Sequence, residues 1–216
     1  MRRVTALLLG AAFLFAAEFP AAAAVSAPFD DCGGHWAESE IAWASEHGII
    51  GSGGSFEPNR AVTRAEFAAL LGSYCLIFRF GLGSRPAERA FRDVDPESPY
   101  APYIYWAAAY GIAEGVGGGR FAPDAPITRQ DAAVMLERLF HNAMFLYLID
   151  AEAPPPDYAD RGAIPGYAVP AVRDLYRAGI MVGKGAVFDP RGLVTRAETA
   201  VLVCRADAFI RAARGE

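Results

Sequence analysis

The dipeptide Thr-Arg returns three times at nearly equal intervals with the same neighbours around it, and this internal repetition constrains the fold more than any other feature of the chain. It stands in Val62-Thr63-Arg64-Ala65-Glu66, Ile127-Thr128-Arg129-Gln130-Asp131 and Val194-Thr195-Arg196-Ala197-Glu198, with the threonines 65 and 67 residues apart. Five residues before each threonine is a proline (Pro58, Pro123, Pro190), and two before each proline a phenylalanine (Phe56, Phe121, Phe188). Farther upstream comes Gly-Ile, as Gly48-Ile49, Gly111-Ile112 and Gly179-Ile180. Each unit opens on an aromatic residue with an aspartate two positions on: Phe29 and Asp31, Phe91 and Asp93, Tyr158 and Asp160. A chain of 216 residues built this way is a set of small units sharing a core.

Within a unit the local signals predict helix, loop, helix. Ala37, Ile41 and Ala44 fall on one helical face, and Gly48 supplies the left-handed residue that ends the helix. Gly51, Gly53 and Gly54 keep the next loop permissive, and Phe56 and Pro58 turn it back toward the core. Thr63 is an N-cap whose bond Glu66 can return, a capping box, with Val62 and Phe67 placed for a hydrophobic staple. The apolar stripe then runs through Phe67, Leu70, Leu71 and Tyr74 in the first unit. Its counterparts are Ala132, Met135, Leu136 and Leu139 in the second, and Leu202 and Val203 in the third. A single helix pair of this size cannot bury its own stripe, so the three second helices are expected to meet in a shared central bundle as one cooperative module.

The ordered set of aromatic-x-Asp, helix, Gly-Ile, Gly-rich loop, Phe-x-Pro, [VI]-T-R-x-[ED] and apolar helix resembles the S-layer homology family over nearly the whole chain after residue 24. The resemblance implies a mainly α fold: three repeats, 29–77, 91–140 and 158–210, forming a pseudo-threefold, three-pronged module with ligand grooves between prongs. The connectors are 78–90, rich in Gly and Arg, and 149–157, stiffened by Pro154-Pro155-Pro156. The apolar stretch Met144 to Ile149 either extends the helix before it or lies over a neighbouring prong.

Arg64, Arg129 and Arg196 each follow an N-cap threonine, so each cation sits where the helix dipole is already positive, a mismatch of roughly 0.3–1 kcal/mol. Two readings follow. Free backbone N–H groups and a guanidinium fork make a receptor for a carboxylate or phosphate. Alternatively each arginine pairs internally, with the cap acid Glu66, Asp131 or Glu198 or with Asp31, Asp93 or Asp160. The resemblance implies the first, because members of the family hold the acidic, often pyruvylated, terminal sugar of a secondary wall polymer with this arginine. The candidate glycan-binding set is therefore Arg64, Arg129, Arg196, Asp31, Asp93, Asp160, Gly51, Gly115 and Gly183. The glycines either let the sugar approach the backbone or serve as plain turn residues. Two loops lack the family's usual Asp-Gly pair, and Glu114 stands where a small polar residue is common, which sets an anion in the second groove. Trp43 and Trp106 stand five residues before the Gly of Gly-Ile, as core or as a sugar platform, and Asp174 replaces them in the third repeat.

Met1-Arg2-Arg3, an apolar run from Val4 to Ala17 and the alanines 21–24 read as a signal peptide of residues 1–24, cleaved near Ala24 and leaving no stable transmembrane insertion. Without it the chain keeps 18 basic and 24 acidic residues, a net charge of −6, which argues against nucleic acid as a partner. Three cysteines, Cys32, Cys75 and Cys204, are too few for a disulfide framework and read as buried thiols. His35, His47 and His141 lack the spacing of a metal site or triad, and no nucleophile motif accompanies them, so neither a cofactor nor catalysis is expected. The implied protein is secreted and bound to the wall on the outer face of the envelope. Its partner is a peptidoglycan-associated secondary cell-wall polysaccharide, with other envelope proteins as further partners. A structural or protein-interaction role without glycan binding is the competing reading. The repeats leave no sequence for a catalytic or lattice-forming passenger.

Overall fold

The structure is a computed structural model and describes residues 28–77, 91–144 and 157–215. The proposed signal peptide, the connector 78–90, most of the connector 149–157 and the stretch after Met144 lie outside the described residues. Each repeat supplies two helices: α1 (Glu38–Glu46) and α2 (Arg64–Ile77), α3 (Ala101–Ala109) and α4 (Arg129–Arg138), α5 (Val169–Arg177) and α6 (Arg196–Arg214). A π turn, Leu139–Ala143, continues α4. Among the described residues no helix is long and apolar enough to cross a membrane.

The first helices end as their glycines predict. Gly48, Gly111 and Gly179 adopt φ of +69°, +64° and +69°. Ile49, Ile112 and Ile180 then donate their N–H groups back to Ala44, Ala107 and Leu175, which completes a Schellman motif and tucks each isoleucine into the core. The following loops turn on the buried rings of Phe56, Phe121 and Phe188. Each ring lies against the aromatic residue that opens its repeat: Phe29 at 4.9 Å, Phe91 at 5.2 Å and Tyr158 at 5.7 Å between centroids. Burying one such ring contributes on the order of 2–3 kcal/mol. The residue after it is left-handed in all three repeats without being glycine, Glu57 at φ 56°, Ala122 at 59° and Asp189 at 58°.

The helices pair across repeats. α3 packs on α2, α5 on α4, and α1 closes the circle by packing on α6. Each second helix is thus covered by the first helix of the next repeat, with the third handing on to the first. At the α2–α3 contact Gly72 is required by proximity, since a Cβ there would lie 2.5 Å from the ring of Tyr103. α2 and α6 also meet at depth, where the Tyr74 hydroxyl of α2 donates to Asp207 of α6 at 3.2 Å and Arg211 donates to the other oxygen at 2.6 Å.

A feature not read from the sequence holds the centre. The short extended segments before the second helices bridge one another, and their middle residues form a closed ring of backbone bonds. Val62 donates to Val194 (2.9 Å), Val194 to Ile127 (3.2 Å) and Ile127 to Val62 (2.9 Å). The side chains of all three are buried in one core cluster drawn from all three repeats. Cys32 and Cys75 belong to the same cluster, Cys204 is buried outside it, and burial raises the three thiols to about 11, 12 and 12. Trp43 and Trp106 are partly buried against the core, Trp43 at 4.5 Å from the His47 ring and Trp106 at 6.0 Å from that of Tyr110. Asp174, at the same position in the third repeat, is buried beside Arg173 (2.7 Å) and Arg177 (3.9 Å).

Candidate functional site

The second helices begin as the Thr-x-x-acid pattern dictates. Glu66 and Glu198 donate their N–H groups to Thr63 and Thr195 (3.1 and 3.2 Å), while their carboxylates accept the threonine N–H groups at 2.9 and 3.0 Å. Asp131, one methylene shorter, accepts instead from the Thr128 hydroxyl at 2.7 Å.

The next two N–H groups of each helix are taken by the neighbouring repeat, which corrects the expectation that they are free. Arg64 and Ala65 donate to Ala125 and Pro123, Arg129 and Gln130 to Gly192 and Pro190, and Arg196 and Ala197 to Arg60 and Pro58, all at 2.8–3.0 Å. Every helix start is thus capped by the Phe-x-Pro loop of the following repeat, and the third by that of the first.

The guanidinium groups follow the same cycle. Arg64 Nε donates to the Phe121 carbonyl (2.9 Å), Arg129 Nε to Phe188 (2.9 Å) and Arg196 Nε to Phe56 (2.5 Å). Each lies over the phenylalanine ring it serves, at 4.8, 5.2 and 4.5 Å from the centroid. Arg64 and Arg129 also place Nη2 on the carbonyls of Glu114 (2.9 Å) and Val182 (3.2 Å) and are nearly buried. Burial lowers the affinity of Arg64 for its proton. Among the described residues Arg196 has no such second carbonyl bond, and its side chain keeps 28% exposure. The nearby acids are the cap residues of the following repeat, Glu198 at 3.5 Å from Arg129 and Glu66 at 3.8 Å from Arg196.

Asp31, Asp93 and Asp160 lie beneath the loops. Asp31 accepts from the Ser55 hydroxyl (2.6 Å) and from the N–H groups of Phe56 and Glu57 (both 2.7 Å). These bonds, the hydroxyl foremost, draw its carboxyl down to about 2. Asp93 grips Phe121 and Ala122 (both 2.8 Å), and Asp160 grips Phe188 and Asp189 (2.9 and 2.8 Å). For Asp93 burial works against ionisation, yet the two N–H bonds hold its carboxyl below the usual range. The loop whose carbonyl receives the arginine is therefore held from behind by its own aspartate.

The three glycines separate. A Cβ on Gly115 would meet the Arg120 carbonyl oxygen at 2.5 Å, and one on Gly183 would meet Val187 O and the Tyr158 ring at 2.4 Å, so both are required by close approach. Gly51 is exposed with nothing within 4 Å.

Gly51 and Arg196 come together in a groove of about 290 Å³ built from three repeats. The first repeat contributes Ile50, Gly51, Glu66 and Ser73, the second Tyr100 and the third Arg196 and Thr199. Trp43 does not line it. Tyr100, Ser73 and Ile50 were missed in the sequence. The available signal for the tyrosine was that Tyr100 and Tyr167 both stand seven residues after their repeat's aspartate. A broader open depression of about 660 Å³ over Phe91, Asp93, Pro96 and Gly119 belongs to one repeat and contains no helix-start arginine. In the second repeat Glu114 and Arg138 are paired at 2.9 Å.

A cyclic module of three interlocked helix pairs, with a groove where repeats meet, defines a class of repeat-built surface anchors. The chain belongs to the S-layer homology domain family, whose model matches residues 28–68, 90–133 and 157–200. Membership carries the general role of the family, anchoring at the cell wall and cell surface. The chain is 27% identical to the S-layer protein sap of Bacillus anthracis over 95% of its own length and 24% of that protein. It is 29% identical to Exoglucanase XynX of Acetivibrio thermocellus, over 82% of this chain and 16% of the relative. It is likewise 29% identical to a cellulosome-anchoring protein of the same species, over 48% and 24%. The chain thus spans a quarter or less of these relatives.

Proposed function

We propose that this protein is exported and held non-covalently to the wall by an anionic, pyruvylated secondary cell-wall polysaccharide, bound in grooves between its repeats. The observation that carries the reading is the Arg196 groove, where a partly exposed guanidinium, an aromatic ring and an open backbone at Gly51 face one space. An acidic sugar needs those three things: a fork for its carboxylate, a flat apolar surface for its ring and room beside the chain. The remaining candidates, Arg64, Arg129, Asp31, Asp93, Asp160, Gly115 and Gly183, support this role by fixing the loops that bound the grooves.

Co-sedimentation of the purified protein with isolated Gram-positive walls, before and after acid extraction of the secondary polymer, tests the reading. Binding lost on extraction is the expected result. Failure of the folded protein to bind walls that bear pyruvylated polymer refutes it. A second reading, a structural or protein-interaction part of the envelope without glycan binding, is favoured by the internal use of Arg64 and Arg129. It expects Arg196→Ala to leave wall binding intact.

A further inference from the structure

The repeats place different side chains at matching positions around their loops. In the Arg196 groove Gly51, three residues after the Gly48 stop, and Ser73, on the second helix, line the same space. The matching residues of the second repeat are Glu114 and Arg138, and their side chains join at 2.9 Å. That groove is further tied by Tyr167, whose hydroxyl donates to Asp131 at 2.9 Å and accepts from Gln130 Nε2 at 2.9 Å. In the third repeat Lys184 occupies the anionic side, 3.1 Å from Asp189 and 3.8 Å from Glu198. The arginines differ in the same sense. Among the described residues Arg64 and Arg129 each bond two carbonyls and Arg196 one, while cap acids stand beside Nη1 of Arg129 at 3.5 Å and of Arg196 at 3.8 Å.

We infer that the protein takes its acidic sugar in one groove only, the Arg196 groove, and that the Glu114–Arg138 ion pair bars the second. This rests on the anchoring reading above and adds which groove performs it and what silences another. A ligand carboxylate entering the second groove would have to displace Glu114 from Arg138 and then remain beside it, two like charges at one cation. In the first groove the same two positions are Gly51 and Ser73, which carry no charge.

The test uses a pyruvylated amino-sugar monosaccharide as probe, with titration calorimetry for the number of sites and amide NMR for their location. The full chain should take one equivalent, with shifts at Gly51, Glu66 and Tyr100 and none at Gly115, Asp131 or Tyr167. Arg196→Ala should weaken binding at least tenfold with the fold retained. Glu114→Ala, an exposed loop change, should release Arg138 and create a second, weaker site reported by Gly115 and Tyr167. Two or three equivalents on the unaltered chain, or shifts centred on Tyr167, would overturn the inference and leave the anchoring reading in place. So would a folded Glu114→Ala protein that still takes one equivalent. No binding of the probe or of walls bearing it overturns both.

Discussion

The backbone N–H of Ile127 lies 2.9 Å from the carbonyl oxygen of Val62, a bond between two repeats at the centre of the molecule. With its two counterparts it makes the three repeats mutually dependent, because each helix pair is also assembled from two of them. A chain truncated after residue 144 therefore removes α5 from α4 and α6 from α1, and exposes Ile41 and Ala44. We expect such a fragment to show no cooperative urea transition by circular dichroism, whereas the intact chain unfolds in one step.

The arginines should separate by burial. Arg64→Ala leaves the carbonyls of Phe121 and Glu114 without their charged donor, and the expected cost is about 3 kcal/mol in urea unfolding. Arg64→Lys should recover little of it, since an ammonium cannot reproduce the fork. Arg196→Ala, with one carbonyl bond and greater exposure, should cost about half as much.

The loop glycines give a second contrast. Gly115→Ala and Gly183→Ala push a methyl group against backbone oxygen and should each cost about 1–3 kcal/mol. Gly51→Ala meets open space and should stay within about 0.5 kcal/mol of the parent. Thermal melts of the three variants check this directly.

Ala122 holds φ 59° although it carries a Cβ. Ala122→Gly removes that conformational penalty at the expense of a more flexible unfolded chain, so a gain of about 0.5 kcal/mol is expected. The same change at a right-handed helical alanine would be destabilising, which makes the sign the informative result.

The Asp31 carboxyl titrates at about 2 in the folded protein, below its ordinary 3.8. A depressed carboxyl contributes stability that is complete above the unfolded value and is lost as pH falls through the folded one. Hydrogen exchange at Phe56 and Glu57 should therefore hold steady down to about pH 4, and protection should fall between about pH 4 and 2. Asp31→Asn should abolish that acid step.

What could be read in advance was what repeats locally. The Gly48, Gly111 and Gly179 stops, the Thr63 and Thr195 capping boxes and the Phe67-Leu71-Tyr74 stripe all follow from spacings of a few residues. The destinations of the arginines did not follow, because Arg64 meets Phe121 57 positions along the chain and Arg196 meets Phe56 140 positions back. Nothing near Thr-Arg says that its loop lies in the next repeat. The aspartates were set beside the arginines as charge partners, whereas they bind the far side of the same loops through backbone N–H groups. The Arg196 groove was legible in two members, Arg196 and Gly51. Tyr100 stayed hidden because it enters from a different repeat.

The closure of α1 onto α6 bears on how such a protein carries load. In an open stack of repeats, a pull on either terminus can peel one unit at a time, since the last unit is held on one side only. Here there is no last unit. A pull transmitted through the end of α6 loads its contact with α1, and a pull arriving ahead of α1 loads the same contact from the other side. Yielding then means breaking the circle as a whole, so the tether should fail at one force in a single rip, with no staircase of partial extensions.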